Sequence, residues 1–153
     1  MKSALILLAV FFAVCACAPA QCPEFLLADL QNLQRASPDQ KQNTILDLGF
    51  DLRSEFTNQA GAFRNYSKCW NSNLKDKPIF EQLIWWNLTE NTVTFMTLKE
   101  AHFNALRKAI VERQTSGTIT ENPDFYIGKM FHYRFGNRRV DGADYFYVSI
   151  RFR

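Results

Sequence analysis

Apolar and polar positions alternate with a period that changes along the chain. From Pro23 to Arg35, Leu26, Leu30 and Leu33 recur at helical spacing and predict a first helix that stops near Ala36. Ser37-Pro38-Asp39-Gln40 then carries the marks of a helix start. It has a hydroxyl N-cap, a proline in the first turn, an acid near the positive helix end and glutamine at the capping-box position. Ile45, Leu48, Leu52, Phe56, Ala60 and Phe63 follow at three- and four-residue steps. This stripe predicts a long second amphipathic helix, with Gly49 as a candidate break.

Asn71 to Lys77 is polar and reads as a connection. Pro78 opens a short element, Ile79 to Leu88, whose apolar positions 79, 80, 83, 84 and 88 favour helix and leave strand open. Thr92 to Thr97 alternates, with Val93 and Phe95 on one side, as a short strand does. Thr97-Leu98-Lys99-Glu100 repeats the capping-box pattern, and Gly117 offers a left-handed stop for the helix between them. On that helix Leu98, Phe103, Ala105, Leu106, Ala109 and Ile110 share one face, with His102 near its middle.

In the last third the period becomes two. Positions 125, 127, 131, 133 and 135 form one apolar side, with Tyr126, Met130, His132 and Arg134 opposite. Phe146, Val148, Ile150 and Phe152 form the apolar side of a further strand, and Tyr145, Tyr147, Ser149 and Arg151 its other side. Gly136 to Gly142 reads as the hairpin loop between them; centred near residues 139 and 140, it sets Arg134 opposite Tyr145 and His132 opposite Tyr147. Helices first and a hairpin last indicate an α+β class: an N-terminal helical hairpin and a further amphipathic helix packed on a small antiparallel sheet that ends in a C-terminal β-hairpin. Helices on a curved antiparallel sheet also occur in cystatin-like and NTF2-like architectures, and that comparison rests on layout alone.

Residues 1–20 divide into the parts of a secretory signal peptide: Lys2, an apolar run from Ala4 to Ala16, and the small-residue ending Ala18-Pro19-Ala20. The run is shorter than the ~20 residues a membrane helix needs, so the reading is a cleaved signal, 1-20, followed by one secreted domain, 21-153, with no membrane span. Cys15 and Cys17 would leave with the signal, and Cys22 and Cys69 would pair in an oxidising compartment. That bridge would hold the two helices as a hairpin. Asn65-Tyr66-Ser67 and Asn87-Leu88-Thr89 are glycosylation sequons that fit the same compartment.

Candidate chemistry is sparse. The domain offers His102, His132 and two paired cysteines, too few ligands for a metal site, and no phosphate loop, metalloprotease helix, calcium loop or nucleophile elbow. No cofactor is implied. Residues 129–153 carry Lys129, Arg134, Arg138, Arg139, Arg151 and Arg153 against Asp141 and Asp144; such a basic end could favour acidic polysaccharide, nucleic acid or anionic membrane, but the excess is too modest to imply a nucleic-acid partner. Lys129 breaks the strand pattern by falling on the apolar side, where an amine beside a pocket could hold a ligand's acid group. The other side of the hairpin sets His132, Arg134, Tyr145 and Tyr147 in a row suited to stacking and cation–π contacts. Two functions are therefore expected to compete: a secreted binding protein for a small apolar or aromatic ligand or an extracellular protein, and a small secreted hydrolase or isomerase using His102 and His132 as acid and base.

Overall fold

The computed structural model describes residues 21–74, 77–113, 118–119 and 122–153. The signal-peptide segment and the Gly117 helix stop lie outside the described residues. Among the described residues three helices, α1 (Leu27–Arg35), α2 (Pro38–Asp47) and α3 (Glu100–Arg113), pack on one antiparallel sheet, so the class is α+β. The strands are β1 (Asp51–Asn58), β2 (Gly61–Leu74), β3 (Lys77–Asn87), β4 (Thr92–Thr97), β5 (Thr118–Ile119), β6 (Phe125–Ile127), β7 (Phe131–Val140) and β8 (Ala143–Phe152). Their order is β1-β2-β3-β4-β8-β7-β6-β5, two meanders joined by the β4–β8 pair.

The second helix is much shorter than its stripe predicted. It starts as expected, with Ser37 N donating to Gln40 Oε1 at 3.3 Å. It ends at Gly49, whose φ of 82° is free to a residue without Cβ. Gly49 N donates to Leu46 O and Phe50 N to Ile45 O, the two bonds of a Schellman cap, and Ile45 and Phe50 are both buried beside it. Leu52, Phe56 and Phe63 belong instead to the β1–β2 hairpin, where Phe56 and Phe63 pair across strands and stack at 5.1 Å. Ile79 to Leu88 likewise resolves as strand, apart from Leu88 in the turn that follows. The Cys22–Cys69 disulfide forms, with Cα atoms 5.8 Å apart, and ties the segment before α1 to strand β2, not one helix to another.

The core lies between the helices and the sheet. Leu30 and Leu33 of α1, Ile45 of α2 and Ile110 of α3 are fully buried against Tyr66, Ile84, Val93, Tyr133 and Ile150. Phe25 stacks on Phe95 at 4.3 Å and meets Phe50 edge-on at 5.9 Å. α3 opens with Thr97 Oγ1 accepting from Lys99 N, and buries Phe103 and Leu106 as its pattern predicts.

The alternation of the C-terminal hairpin holds, but its turn does not fall where expected. The strands run on to Val140 and Ala143, and Asp141-Gly142 makes a two-residue turn with φ of 53° and 94°. Moving the turn from 139–140 to 141–142 slides the pairing by an even number of residues, so each side chain keeps its face. Arg134 now faces Ser149, and His132 faces Arg151. Farther upstream, Gly128 and Lys129 fall in the connection between β6 and β7, and Gly128 N donates to Phe131 O at 2.8 Å. That connection resets the alternation, so Tyr126 is buried in the main core although the pattern had it on the other side.

Lys41 is a buried position the pattern did not single out. Fully buried on α2, it donates from Nζ to Asn91 Oδ1 and sits 5.3 Å from the Trp86 ring centroid. Gln34 of α1 donates to Asn91 O at 2.6 Å, so the left-handed Asn91 of the β3–β4 turn is held by both helices. Burial pushes the Lys41 amine down to about 8 from its usual 10.5.

Two predictions follow from these anchors. Reduction, or Cys22→Ser with Cys69→Ser, should lower stability by about 4 kcal/mol in a denaturant titration, the chain-entropy value for a loop of this length; unchanged stability would show the loop to be held by other contacts. The lowered Lys41 pKa means that the unfolded chain takes up its proton first, so this residue should remove stability as pH falls from 10.5 to 8 and remove no more below that. Lys41→Met should therefore flatten that window in melting curves, and any gain at pH 7 is reduced because the substitution leaves Asn91 Oδ1 without its donor.

Candidate functional site

The face of the sheet away from the helices has its own organisation. Register sets Ser54, Asn65, Trp85, Thr94, Ser149, Arg134 and Phe125 in one row, each from a different strand. Asn65 Nδ2 donates to Ser54 Oγ, and the Thr94 and Ser149 hydroxyls share a short hydrogen bond at the centre of the row. Beside it a second row runs through Phe63, Asn87, Thr92, Arg151, His132 and Ile127.

This face is concave. Arg53 of β1 and Asp141 of the β7–β8 turn form an ion pair at 3.3 Å. Four strands separate β1 from β7 in the sheet order, a distance of roughly 24 Å in a flat sheet at ~4.8 Å per strand. The contact therefore requires the sheet to curl, and other side chains cross the hollow in the same way. Arg138 of β7 lays its guanidinium 4.2 Å from the centroid of Trp85 on β3. A Cβ on Gly142 would come within 2.8 Å of Leu74 of β2.

One end of the hollow is filled. Leu83, Met96 and Tyr145 make a second buried cluster, flanked by Phe80, Val140 and Tyr147. Tyr145, expected to be outward and available, is buried, and its hydroxyl donates to Phe80 O at 2.7 Å. Burial raises its pKa, against the opposing pull of that bond. Tyr147 is half-buried and lies over Gly136, where a Cβ would stand 2.8 Å from the tyrosine oxygen. On the core side Val148 and Ile150 are buried as expected, whereas Phe146 is only half-buried, stacked on Phe103, and Phe152 is exposed.

The other end is open. A cleft of about 310 Å³ is lined by Phe63, Trp85, Phe125, His132, Arg134, Arg138 and Arg151 over the Thr94–Ser149 floor. A second lobe of about 420 Å³ adjoins it, sharing Trp85 and Arg138 and bounded by Arg53, Asn65 and Asp141. Three buried polar atoms on this face, Asn65 Oδ1, Thr92 Oγ1 and His132 Nδ1, have no hydrogen-bond partner among the described residues. The His132 ring meets Phe125 edge-on at 5.7 Å. Burial, then the Arg151 and Arg153 charges, lower its pKa, which favours the neutral imidazole.

The residues singled out from sequence are thus divided. His132 and Arg134 line the cleft; Tyr145 and Tyr147 build the filled end, and Lys129 lies in the exposed β6–β7 connection. His102 is buried on the helix side, 2.7 Å from Phe25 O; since a carbonyl only accepts, Nε2 carries the proton. The two histidines are on opposite faces of the sheet. Asn65 is half-buried in the second lobe, and Asn87 is buried, its Oδ1 accepting from Thr89 N and Glu90 N while Nδ2 donates to Ala60 O. Trp85, Phe63, Arg138 and Arg151 were missed as site residues. Reading 77–87 as a strand would have put Trp85 on the face opposite Trp86, and strand parity already placed Arg151 with His132.

The space between helices and sheet is occupied by the core described above. Among the described residues no group of His, Cys, Asp and Glu could hold a metal ion, and no helix is long and apolar enough to cross a membrane. Comparison with protein-family models, curated proteins and solved structures finds no match.

Tyr145→Ala should cost about 3 to 5 kcal/mol in thermal or denaturant unfolding, as loss of a buried ring does, and Tyr147→Ala distinctly less. Tyr145→Phe should cost about 1 to 2, because it strands the Phe80 carbonyl without its donor. Equal losses for the two alanine variants would mean that the filled end is not organised around Tyr145.

Proposed function

We propose that this is a secreted, non-enzymatic binding protein that takes a small ligand with an aromatic body in the cleft on the helix-free face of the sheet. The observation that carries the reading is the cleft itself. It is a concavity within the size range of small-ligand sites, walled by Trp85, Phe63 and Phe125 and floored by hydroxyls, with buried polar atoms left unpaired. A ligand carrying one or two polar groups would satisfy those atoms and cover the aromatic walls, which solvent otherwise wets. The disulfide is compatible with an oxidising, extracellular setting, and the signal-like start of the sequence supports the same location. The hydrolase or isomerase reading draws no comparable support, since an acid–base pair of His102 and His132 would have to act through the sheet.

A neutral aromatic reporter, N-phenyl-1-naphthylamine, tests the cleft. Its fluorescence should rise on binding with micromolar affinity. Trp85→Ala, and Ser149→Phe, which would fill the floor, should each weaken it at least about tenfold while the protein still melts cooperatively. Reporter binding that survives both substitutions would place the site elsewhere and end this reading.

A further inference from the structure

Resting on that reading, we infer that the ligand of the cleft is an anion: a small planar molecule carrying a carboxylate or sulfonate-type group, held by Arg134 and Arg151. The argument starts from where the charges of this protein are matched. Arg53, Arg64, Lys99 and Lys108 each have a carboxylate within 4 Å. Arg134, Arg138 and Arg151 all line the cleft, and among the described residues none of them has one. Among the described residues Glu90 is the single acid on the cleft wall.

The three arginines are also placed differently from one another. Arg138 is committed to the Trp85 ring, where its stacked guanidinium forms the partition between the two lobes. Arg134 and Arg151 are on neighbouring strands of the same face, Arg134 opposite Ser149 and Arg151 opposite His132, so they are diagonal neighbours. Phe125 flanks Arg134 on the next strand, and His132, with its Nδ1 unpartnered, sits between the two cations. Both arginines are exposed at the cleft, and like charges at this spacing repel. An anion entering beside Phe125 relieves that repulsion and can take two guanidinium forks, while its planar body lies along the aromatic wall. The competing explanation, cations set on a sheet to prevent aggregation, accounts for charges along an open edge. Arg134 and Arg151 are instead on β7 and β8, which have strands on both sides.

The test uses a pair of probes of nearly the same shape, 2-naphthoate and 2-naphthamide, titrated by calorimetry at low salt. Naphthoate is expected to bind at least about tenfold more tightly, the worth of one good charge-assisted contact. That preference should fall below about threefold in an Arg134→Gln, Arg151→Gln double variant, and should shrink as salt is raised. Cooperative melting of the variant shows that it is folded. Equal affinities for the two probes would overturn the anion assignment and leave the aromatic cleft standing. Binding of neither probe would overturn the cleft and this inference with it. A preference for naphthoate that persists in the double variant would assign the anion to other residues and equally refute the proposal.

Discussion

The segment from Cys22 to Phe25 joins three strands and a helix of this fold. Within four residues it is bonded covalently to β2 through Cys69, accepts from Gln82 of β3 at the Pro23 carbonyl, accepts from His102 of α3 at the Phe25 carbonyl, and stacks Phe25 on Phe95 of β4. A buried backbone carbonyl without a donor costs on the order of 1–3 kcal/mol, so His102 offsets the burial of the Phe25 carbonyl, and Gln82 adds a bond to the part-buried Pro23 carbonyl. This explains why both polar residues are buried between the helices and the sheet. The histidine whose position on an apolar helix face suggested catalysis is there to satisfy a carbonyl.

With the strap and three helices on one side, the sheet has a covered face and a free one, and the free face is shaped by its own ends. Arg53 and Asp141 meet only because the strands curl, and Arg138 reaches Trp85 for the same reason. Leu83 and Met96 are already cross-strand partners, and Tyr145 of β8 closes over them with its hydroxyl on Phe80 O of β3. An exposed ion pair is worth at most about 1 kcal/mol, so the Arg53–Asp141 contact marks the curl more than it causes it. The buried cluster at the same end supplies the larger driving force, because apolar area removed from water contributes about 25 cal/mol per Å².

How much of this was legible follows from what fixes each feature. Alternation in β7 and β8 is a property of the strands themselves, so the faces of His132, Arg134, Val148 and Ile150 survived even with the turn placed too early. The turn was misplaced because Gly136 reads as a loop residue, whereas its missing Cβ makes room for the Tyr147 ring; the Asp-Gly pair five residues on was the stronger signal. The second helix was overextended because Leu52, Phe56 and Phe63 happen to continue its spacing. Gly49 followed by the apolar Phe50 was the stop, and it takes effect only through the contact with Ile45 that the folded chain provides. The curl could not be read at all, since it joins β1 to a turn more than eighty residues away.

That last point also explains why the cleft left no signature in the sequence. The cleft draws its residues from strands β2, β3, β4, β6, β7 and β8, none of which carries a recognisable motif, and they face one hollow only when the register of every intervening pair is right. Catalysis by acid and base needs two titratable groups within hydrogen-bond reach of one reacting atom. Among the described residues the cleft wall carries His132, which burial and neighbouring arginines hold towards its neutral form, and Glu90, over hydroxyls already bonded to each other. Binding makes a weaker demand, because aromatic walls and fixed cations act additively and tolerate small shifts in position. A sheet that curls through many weak contacts can meet that demand without the sub-ångström placement that bond making requires.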